Sequence, residues 1–319
     1  MIDAYGRKIE YLRMSVTDAC NLKCAYCMPA DGMKQCPCRT AMSAAEFVEI
    51  ASAAASLGMK KLRITGGEPL VRNDIVLLVR ELGKIRGIED MSLTTNATLL
   101  APIADELFKA GIHRINISLD TLNAEKYGKI TRGGRLSDAI DGIRAAFDAG
   151  MTPVKLNTVL IGGFNDDEII PLAELTLRYP VQIRFIELMP IGDTAGEFSA
   201  EAFIPNSAVL DRLPQLSSVP SEKHTVARLY KLPGALGEVG LISPLSNHFC
   251  AECNRLRLTA DGCLKPCLHS AEEISIRGLY GKELCSAIEK AVSHKPEKHV
   301  ALSASERSEA KRSMYRIGG

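Results

Sequence analysis

The 319-residue chain has no tryptophan, only 5 % aromatic residues, and no histidine before His113. It also lacks charge imbalance: 39 Lys and Arg stand against 38 Asp and Glu, a net charge of +1. Near-neutrality argues against a general nucleic-acid binder, whose domains are usually markedly basic. Any anion site must therefore come from local placement of cations. No apolar run is long enough to span a bilayer, so no membrane partner is expected. The first residues, Met1-Ile-Asp-Ala-Tyr-Gly-Arg-Lys8, lack the apolar stretch of a secretory leader, which favours a cytoplasmic location. Ten cysteines without such a leader read as metal ligands and free thiols rather than disulfides. What the chain does have is 46 % hydrophobic residues, enough for one large domain or two ordinary ones.

Three of the cysteines, Cys20, Cys24 and Cys27, follow an apolar run from Tyr11 to Val16 at the spacing C-x3-C-x2-C. Three thiolates on one loop can hold three irons of a cubic 4Fe–4S cluster and leave the fourth iron open. An open metal position points to catalysis more than to structure. Zinc is the weaker reading, because zinc sites usually add a second nearby cysteine pair or histidines, and neither is at hand.

Beyond this loop, strands and helices alternate. Helices are expected at Ser43 to Leu57, where Ser43 and Glu46 form a capping-box pattern, and at Asn73 to Leu82, Ile103 to Ala110, Leu136 to Ala149 and Asp166 to Tyr179. Strands are expected at Tyr11 to Val16, Lys60 to Thr65, Met91 to Thr95, His113 to Leu119, Val154 to Leu160 and Val181 to Leu188. Such alternation implies right-handed crossovers and a parallel sheet. Six units are too few for a closed eightfold barrel and fit a partial (βα)6 TIM-like barrel, an α/β fold. One face of each strand is apolar. The other carries Arg13, Ser15 and Thr17, then Arg63 and Thr65, Ser92 and Thr94, Arg114, Asn116 and Ser118, Lys155 and Asn157, and finally Arg184. Cations facing a barrel interior are costly unless paired. Single ones can be solvated edge residues; their recurrence on strand after strand points to a polyanion, most simply a phosphorylated substrate.

The alternation ends at Met189-Pro190, and the following stretch is rich in proline. A second triad, Cys250, Cys253 and Cys267, then frames the alternating segment Asn254-Arg255-Leu256-Arg257-Leu258. Residues 286 to 313 read as polar and either helical or disordered. Two domains are expected: a barrel at 1–190, and a C-terminal domain at 191–319 carrying a second Fe–S cluster and ending in Ile317-Gly318-Gly319.

With an aromatic residue, Tyr26, before its third cysteine, the first triad resembles the signature of the radical S-adenosylmethionine (SAM) superfamily. Four further features, namely Thr65 to Leu70, the C-x2-C-x13-C of the second triad, Arg255 with Arg257, and the Ile-Gly-Gly end, resemble the GTP 3′,8-cyclase family of molybdenum cofactor biosynthesis. The resemblance covers most of the chain. It implies two 4Fe–4S clusters, with Cys20, Cys24, Cys27 and Cys250, Cys253, Cys267 as ligands. It places SAM against Tyr26, Gly67, Glu68, Ser118 and Met189. It places GTP against Arg13, Arg63, Thr94, Lys155, Arg184, Arg255, Leu256 and Arg257. Arg255, Arg257 and the tail residues Gly318 and Gly319 are the implied catalytic groups. The implied reaction begins with cleavage of SAM to a 5′-deoxyadenosyl radical, which takes hydrogen from C3′ of GTP. C3′ then attacks C8, and an electron and a proton from the arginine-rich wall complete the product. A chemical reductant or a flavodoxin- or ferredoxin-type donor supplies electrons; homodimerisation is left open.

Two other readings remain at this stage. One is a peptide- or protein-modifying radical SAM enzyme with an auxiliary cluster; the other is a non-catalytic metal-binding module. Cys36, Cys38, Cys263 and Cys285 have no place in the family pattern. Ala97 stands where loops of this kind more often carry glycine.

Overall fold

The Ser43 hydroxyl accepts from the Glu46 amide at 3.3 Å, and the Glu46 carboxylate accepts from the Ser43 amide at 2.8 Å. This closed capping box starts α1 (Ala44–Ser56), which follows β1 (Tyr11–Ser15). The chain continues through β2 (Lys61–Thr65), α2 (Ile75–Gly83), β3 (Asp90–Thr95), α3 (Ala104–Ala110) and β4 (Arg114–Ser118). Then come α4 (Ala124–Thr131), α5 (Leu136–Asp148), β5 (Val154–Leu160), α6 (Ile169–Arg178) and β6 (Val181–Glu187). The computed structural model describes residues 1–31, 41–192, 198, 200–220, 225–299 and 308–318. Cys36, Cys38 and Gly319 lie outside the described residues.

All six expected strands form and pair in parallel, in sequence order. Helix α4, not expected from sequence, is capped by the Asn123 side chain, which accepts from the Glu125 and Lys126 amides. The expected start of α6 at Asp166 is instead a single 3-10 turn at Asp166–Glu168. Three consecutive acidic residues supply that turn, and the regular helix begins with the apolar Ile169.

After residue 190 the chain forms α7 (Ser207–Arg212), β7 (Ser217–Val219), β8 (Arg228–Lys231) and β9 (Glu238–Ile242). It then forms β10 (Arg255–Leu258), β11 (Cys263–Lys265), β12 (Ile274–Ser275), α8 (Gly281–Ser293) and α9 (Met314–Ile317). α8 is a full amphipathic helix, since Leu284, Ile288, Ala291 and Val292 recur on one buried face. These strands extend both edges of one sheet, ordered β12-β11-β10-β1-β2-β3-β4-β5-β6-β9-β8-β7. β10 runs parallel to β1, and β9 runs parallel to β6. The partial barrel is thus lengthened at both sides, and an antiparallel hairpin finishes each end.

The apolar strand faces form the core. Leu12, Met14, Leu62, Ile64, Leu93, Ile115, Ile117, Val154 and Ile183 are all buried, packed with Phe47, Ile50, Leu78 and Leu82 of the helices. Full burial of such side chains contributes about 1.5–3 kcal/mol each. Because side chains alternate along a strand, burying this face fixes the other face toward the barrel interior.

Candidate active site

One cavity of about 1950 Å³, including its open mouth, is lined by both cysteine triads and by the cations between them. At one side stand Cys20, Cys24 and Cys27, on the loop that leaves β1. Gly66 and Gly67 at the end of β2 let this loop lie close. A Cβ on Gly67 would stand 2.3 Å from the Ala19 carbonyl oxygen, and one on Gly66 2.6 Å from that of Thr17. Gly67 is therefore required by the backbone that leads into the first triad, a reason distinct from the expected approach to a ligand. The Gly67 and Glu68 amides donate to the Thr17 and Ala19 carbonyls.

Glu68 lines the cavity and is buried. Its carboxylate accepts from Thr95 Oγ1 and the Asn96 amide, both at 2.7 Å, and from the Leu70 amide at 3.0 Å. Burial raises its pKa to about 7 despite these donors. The loop after β3 carries Ala97 at φ 63°, so this alanine adopts the left-handed conformation that glycine favours. Burial likewise pushes the thiols of Cys20 and Cys27 up to about 11 and 12, and that of Cys24 well above the usual range. The Tyr26 hydroxyl donates to Asp120 Oδ2 at 2.8 Å, and Asp120, raised to about 6 by burial, also accepts from the Val159 amide.

Across β10, β1 and β2 the register sets three arginines side by side. Arg257, Arg13 and Arg63 are direct lateral neighbours on β10, β1 and β2, and all three line the cavity. Two guanidinium charges roughly 6 Å apart repel by about 3 kcal/mol at an effective dielectric of about 20. Burial, Arg257 and Arg63 hold Arg13 well below the usual arginine range. Burial and Arg255 bring Arg257 to about 10, and burial and Arg63 bring Arg184 to about 9. Arg184 Nε donates to Gln182 Oε1 at 2.6 Å, while Arg63 lies over the Tyr11 ring. Arg114, on the same face, is already neutralised by Asp90 at 2.7 Å. Like charges held together in this way form a built receptor for a polyanion.

Opposite the first triad stand Cys250, Cys253 and Cys267. Burial alone would raise the Cys253 thiol, but Arg255 and Lys295 override it and bring it to about 6. Among the described residues no three His, Cys, Asp or Glu groups close around a single ion. Both triads instead border open space, as a polynuclear cluster needs, and three thiols on each side fit cubic clusters with one iron open.

The C-terminal tail enters this cavity. Met314 and Tyr315 line it, and the Tyr315 backbone hydrogen-bonds Cys27. Arg257 Nη1 donates to the Gly318 carbonyl at 2.6 Å. Gly318 has φ 84°, and a Cβ there would meet Thr65 Cγ2 at 2.7 Å. The tail thus touches Cys27 of the first triad and Arg257 of the arginine row.

Thr94, Ser118, Met189 and Arg255 also line the cavity, and Met189 packs against the tail residues Met314 and Ile317. Among the described residues three expected site residues, Leu256, Lys155 and Gly318, are not part of its lining, although Gly318 meets Arg257 as described. Leu256 alternates to the opposite face and is buried in the apolar core, so only its backbone faces inward. Lys155 shares the inward face of β5 with Asn157, and burial, Arg184, Arg114 and Arg63 lower its ammonium to about 7. Cys263 is buried on β11 outside the cavity wall, and Cys285 sits on α8. Sequence reasoning missed Asp120 and Glu187. Glu187 accepts from the amides of Asn206, Leu245 and Ser246 and from the Ser246 hydroxyl, which ties β6 to the loop leading to Cys250. Both are carboxylates at the carboxyl ends of parallel strands, where sites in α/β folds gather.

The profile of the Radical SAM superfamily matches residues 14–176, and that of Molybdenum Cofactor Synthesis C matches residues 181–301. A protein of Alkaliphilus oremlandii named GTP 3′,8-cyclase is 48 % identical, with both chains covered over 100 % of their length. One of Peptoclostridium acidaminophilum with the same name is 49 % identical, covering 100 % of this chain and 98 % of that one. Among solved structures, native anSMEcpe with bound AdoMet superposes with a TM-score of 0.61 at 15 % identity, over 88 % of this chain and 82 % of that one. Streptococcus suis SuiB bound to S-adenosylmethionine gives 0.58 at 18 % identity, over 88 % and 66 %. At such identities these two speak for the fold alone. The open parallel sheet, the first triad and the matching profile define a radical SAM enzyme. Within that class, full-length identity near one half means that the chain belongs to the GTP 3′,8-cyclase family.

Proposed function

We propose that this chain converts GTP to (8S)-3′,8-cyclo-7,8-dihydroguanosine 5′-triphosphate, the first step of molybdenum cofactor biosynthesis. The observation that carries the reading is the row Arg257–Arg13–Arg63 set between two cysteine triads in one cavity. The row binds the triphosphate, with Arg184 and Lys155 adding charge from the far side. Bidentate guanidinium groups suit phosphate oxygens, and Lys155 supplies a point charge. Cys250, Cys253 and Cys267 would hold the second cluster, with Arg255 and Arg257 beside it to receive the guanine base. The first triad holds the other cluster, and SAM bound there supplies the hydrogen-abstracting radical. Tyr26, Gly67, Glu68, Ser118 and Met189, all on the cavity wall, would receive SAM. The protein's work is placement, since such a radical attacks any C–H bond within reach. The docked tail and the Arg257–Gly318 contact exclude water from the reacting end. A flavodoxin- or ferredoxin-type donor delivers the electrons in the cytoplasm, where oxygen-labile clusters persist.

The test is anaerobic incubation with GTP, SAM and reductant, scored for 5′-deoxyadenosine and a cyclised nucleotide. About eight irons per chain are expected after reconstitution. SAM cleavage that GTP does not stimulate, or about four irons, would sink the reading.

A further inference from the structure

One buried cation stands against the second triad without a task in the scheme above. Lys295 lies just past α8, after its cap residue His294, and is 3 % exposed. Its ammonium donates to the Arg255 and Pro266 carbonyls, each at 2.9 Å. Pro266 adjoins Cys267, and Arg255 stands two residues after Cys253. Lys295 and Cys253 line the same cavity, and the ammonium helps pull the Cys253 thiol down. Among the described residues no carboxylate pairs with Lys295.

The contrast with Arg7 is informative. Arg7 also grips this region, through the carbonyls of Cys250 at 2.8 Å, Glu297 at 2.9 Å and Pro296 at 2.6 Å. But Arg7 has its own carboxylate, Asp3, at 2.6 Å. Arg7 therefore ties down backbone with its charge already compensated. The charge of Lys295 is left for the triad. A buried ammonium is costly unless an anion meets it. At this place the anion is the cysteine sulfur and whatever the triad holds. Hydrogen bonds to cluster sulfurs and nearby charge set a cluster's potential. Reduction adds one negative charge, so an adjacent cation stabilises the reduced form more than the oxidised form.

We propose that Lys295 is the positioning residue of the second cluster: held by the Arg255 and Pro266 carbonyls, it sets its charge beside the triad and raises the cluster's reduction potential. This rests on the reading that the second triad holds a 4Fe–4S cluster. The couple is a one-electron addition, supplied in the assay by dithionite.

The test uses the full chain with Cys20→Ala, Cys24→Ala and Cys27→Ala, so that only the second cluster remains. Iron is counted first. About four irons per chain are expected; none would overturn the cluster reading itself, whatever Lys295 does. The midpoint is then followed by electron paramagnetic resonance in this background and with Lys295→Met or Lys295→Arg added. Lys295→Met should disfavour reduction at least tenfold, a midpoint more negative by about 59 mV for one electron. Lys295→Arg, which keeps the charge, should stay close to the parent. Equal midpoints in all three would overturn the proposal. Should Lys295→Met lose its iron, Lys295→Gln replaces it as the neutral variant, and a midpoint shared by Gln and Arg overturns the proposal equally.

Discussion

Binding of GTP should draw a proton onto Lys155. Lys155 stands on β5 in the register row of Asn116 and Gln182. Burial first, then Arg184, Arg114 and Arg63, bring its ammonium from 10.5 to about 7. At about 1.4 kcal/mol per tenfold change, that difference is roughly 5 kcal/mol of cost to the charged form. The sign follows from linkage. The folded, nucleotide-free chain binds this proton less tightly than the unfolded chain does. Its stability therefore rises with pH between about 7 and 10.5, and the full cost is present below about 7. A triphosphate on the neighbouring arginines cancels the repulsion and restores the ammonium. At pH 8 only about one tenth of free molecules carry the proton, so binding takes up about 0.9 proton; at pH 6 it takes up about 0.1. Titration calorimetry of GTP in two buffers of different ionisation enthalpy reads this number directly. Lys155→Met should abolish the uptake at pH 8 and weaken binding. No uptake at pH 8, or the same uptake in Lys155→Met, would refute the reasoning.

Three other outcomes are expected. Gly67→Ala places a methyl 2.3 Å from the Ala19 carbonyl oxygen and should distort the first-triad loop. Iron should fall from about eight to about four per chain, with SAM cleavage lost, by iron analysis and chromatography. Deleting Gly318-Gly319, or Gly318→Val, should cut cyclised product at least about 100-fold while both clusters remain by iron content, since small misplacements near reacting atoms cost that much; normal turnover would disprove the tail's role. Leu62→Ala, at a fully buried core position, should cost about 2–5 kcal/mol in denaturant unfolding of the reconstituted protein.

Much of the barrel is legible in local pattern. The Ser43–Glu46 pair specifies the start of α1, and the alternation of Arg13, Arg63, Asn116 and Lys155 with apolar neighbours assigns each strand an inner and an outer face. Both triads and the arginines of the row across β10, β1 and β2 are short-range motifs of the same kind. What is not legible comes from pairing between distant segments. Nothing in Arg255 to Leu258 says that this strand lies parallel to Tyr11 to Met14, so the row Arg257–Arg13–Arg63 exists only once register is known. Alternation alone also cannot distinguish Arg114, which Asp90 neutralises, from Arg184, which meets a glutamine. Asp120 and Glu187 escaped for a similar reason: their partners, Tyr26 and the loop at Leu245, are remote in sequence.

The place of β10 beside β1 has a consequence for how the molecule is made. β1 leaves the ribosome early, with an apolar face and one unpaired edge. The strand that covers that edge lies about 240 residues downstream. At roughly 5–20 residues per second, the nascent chain waits on the order of 10–50 s before its own tail end can seal it. During that interval the first cysteine loop exists and the second does not. The interval before β10 arrives is when an exposed strand edge invites aggregation. A chain truncated before Arg255 would keep β1 open along that edge.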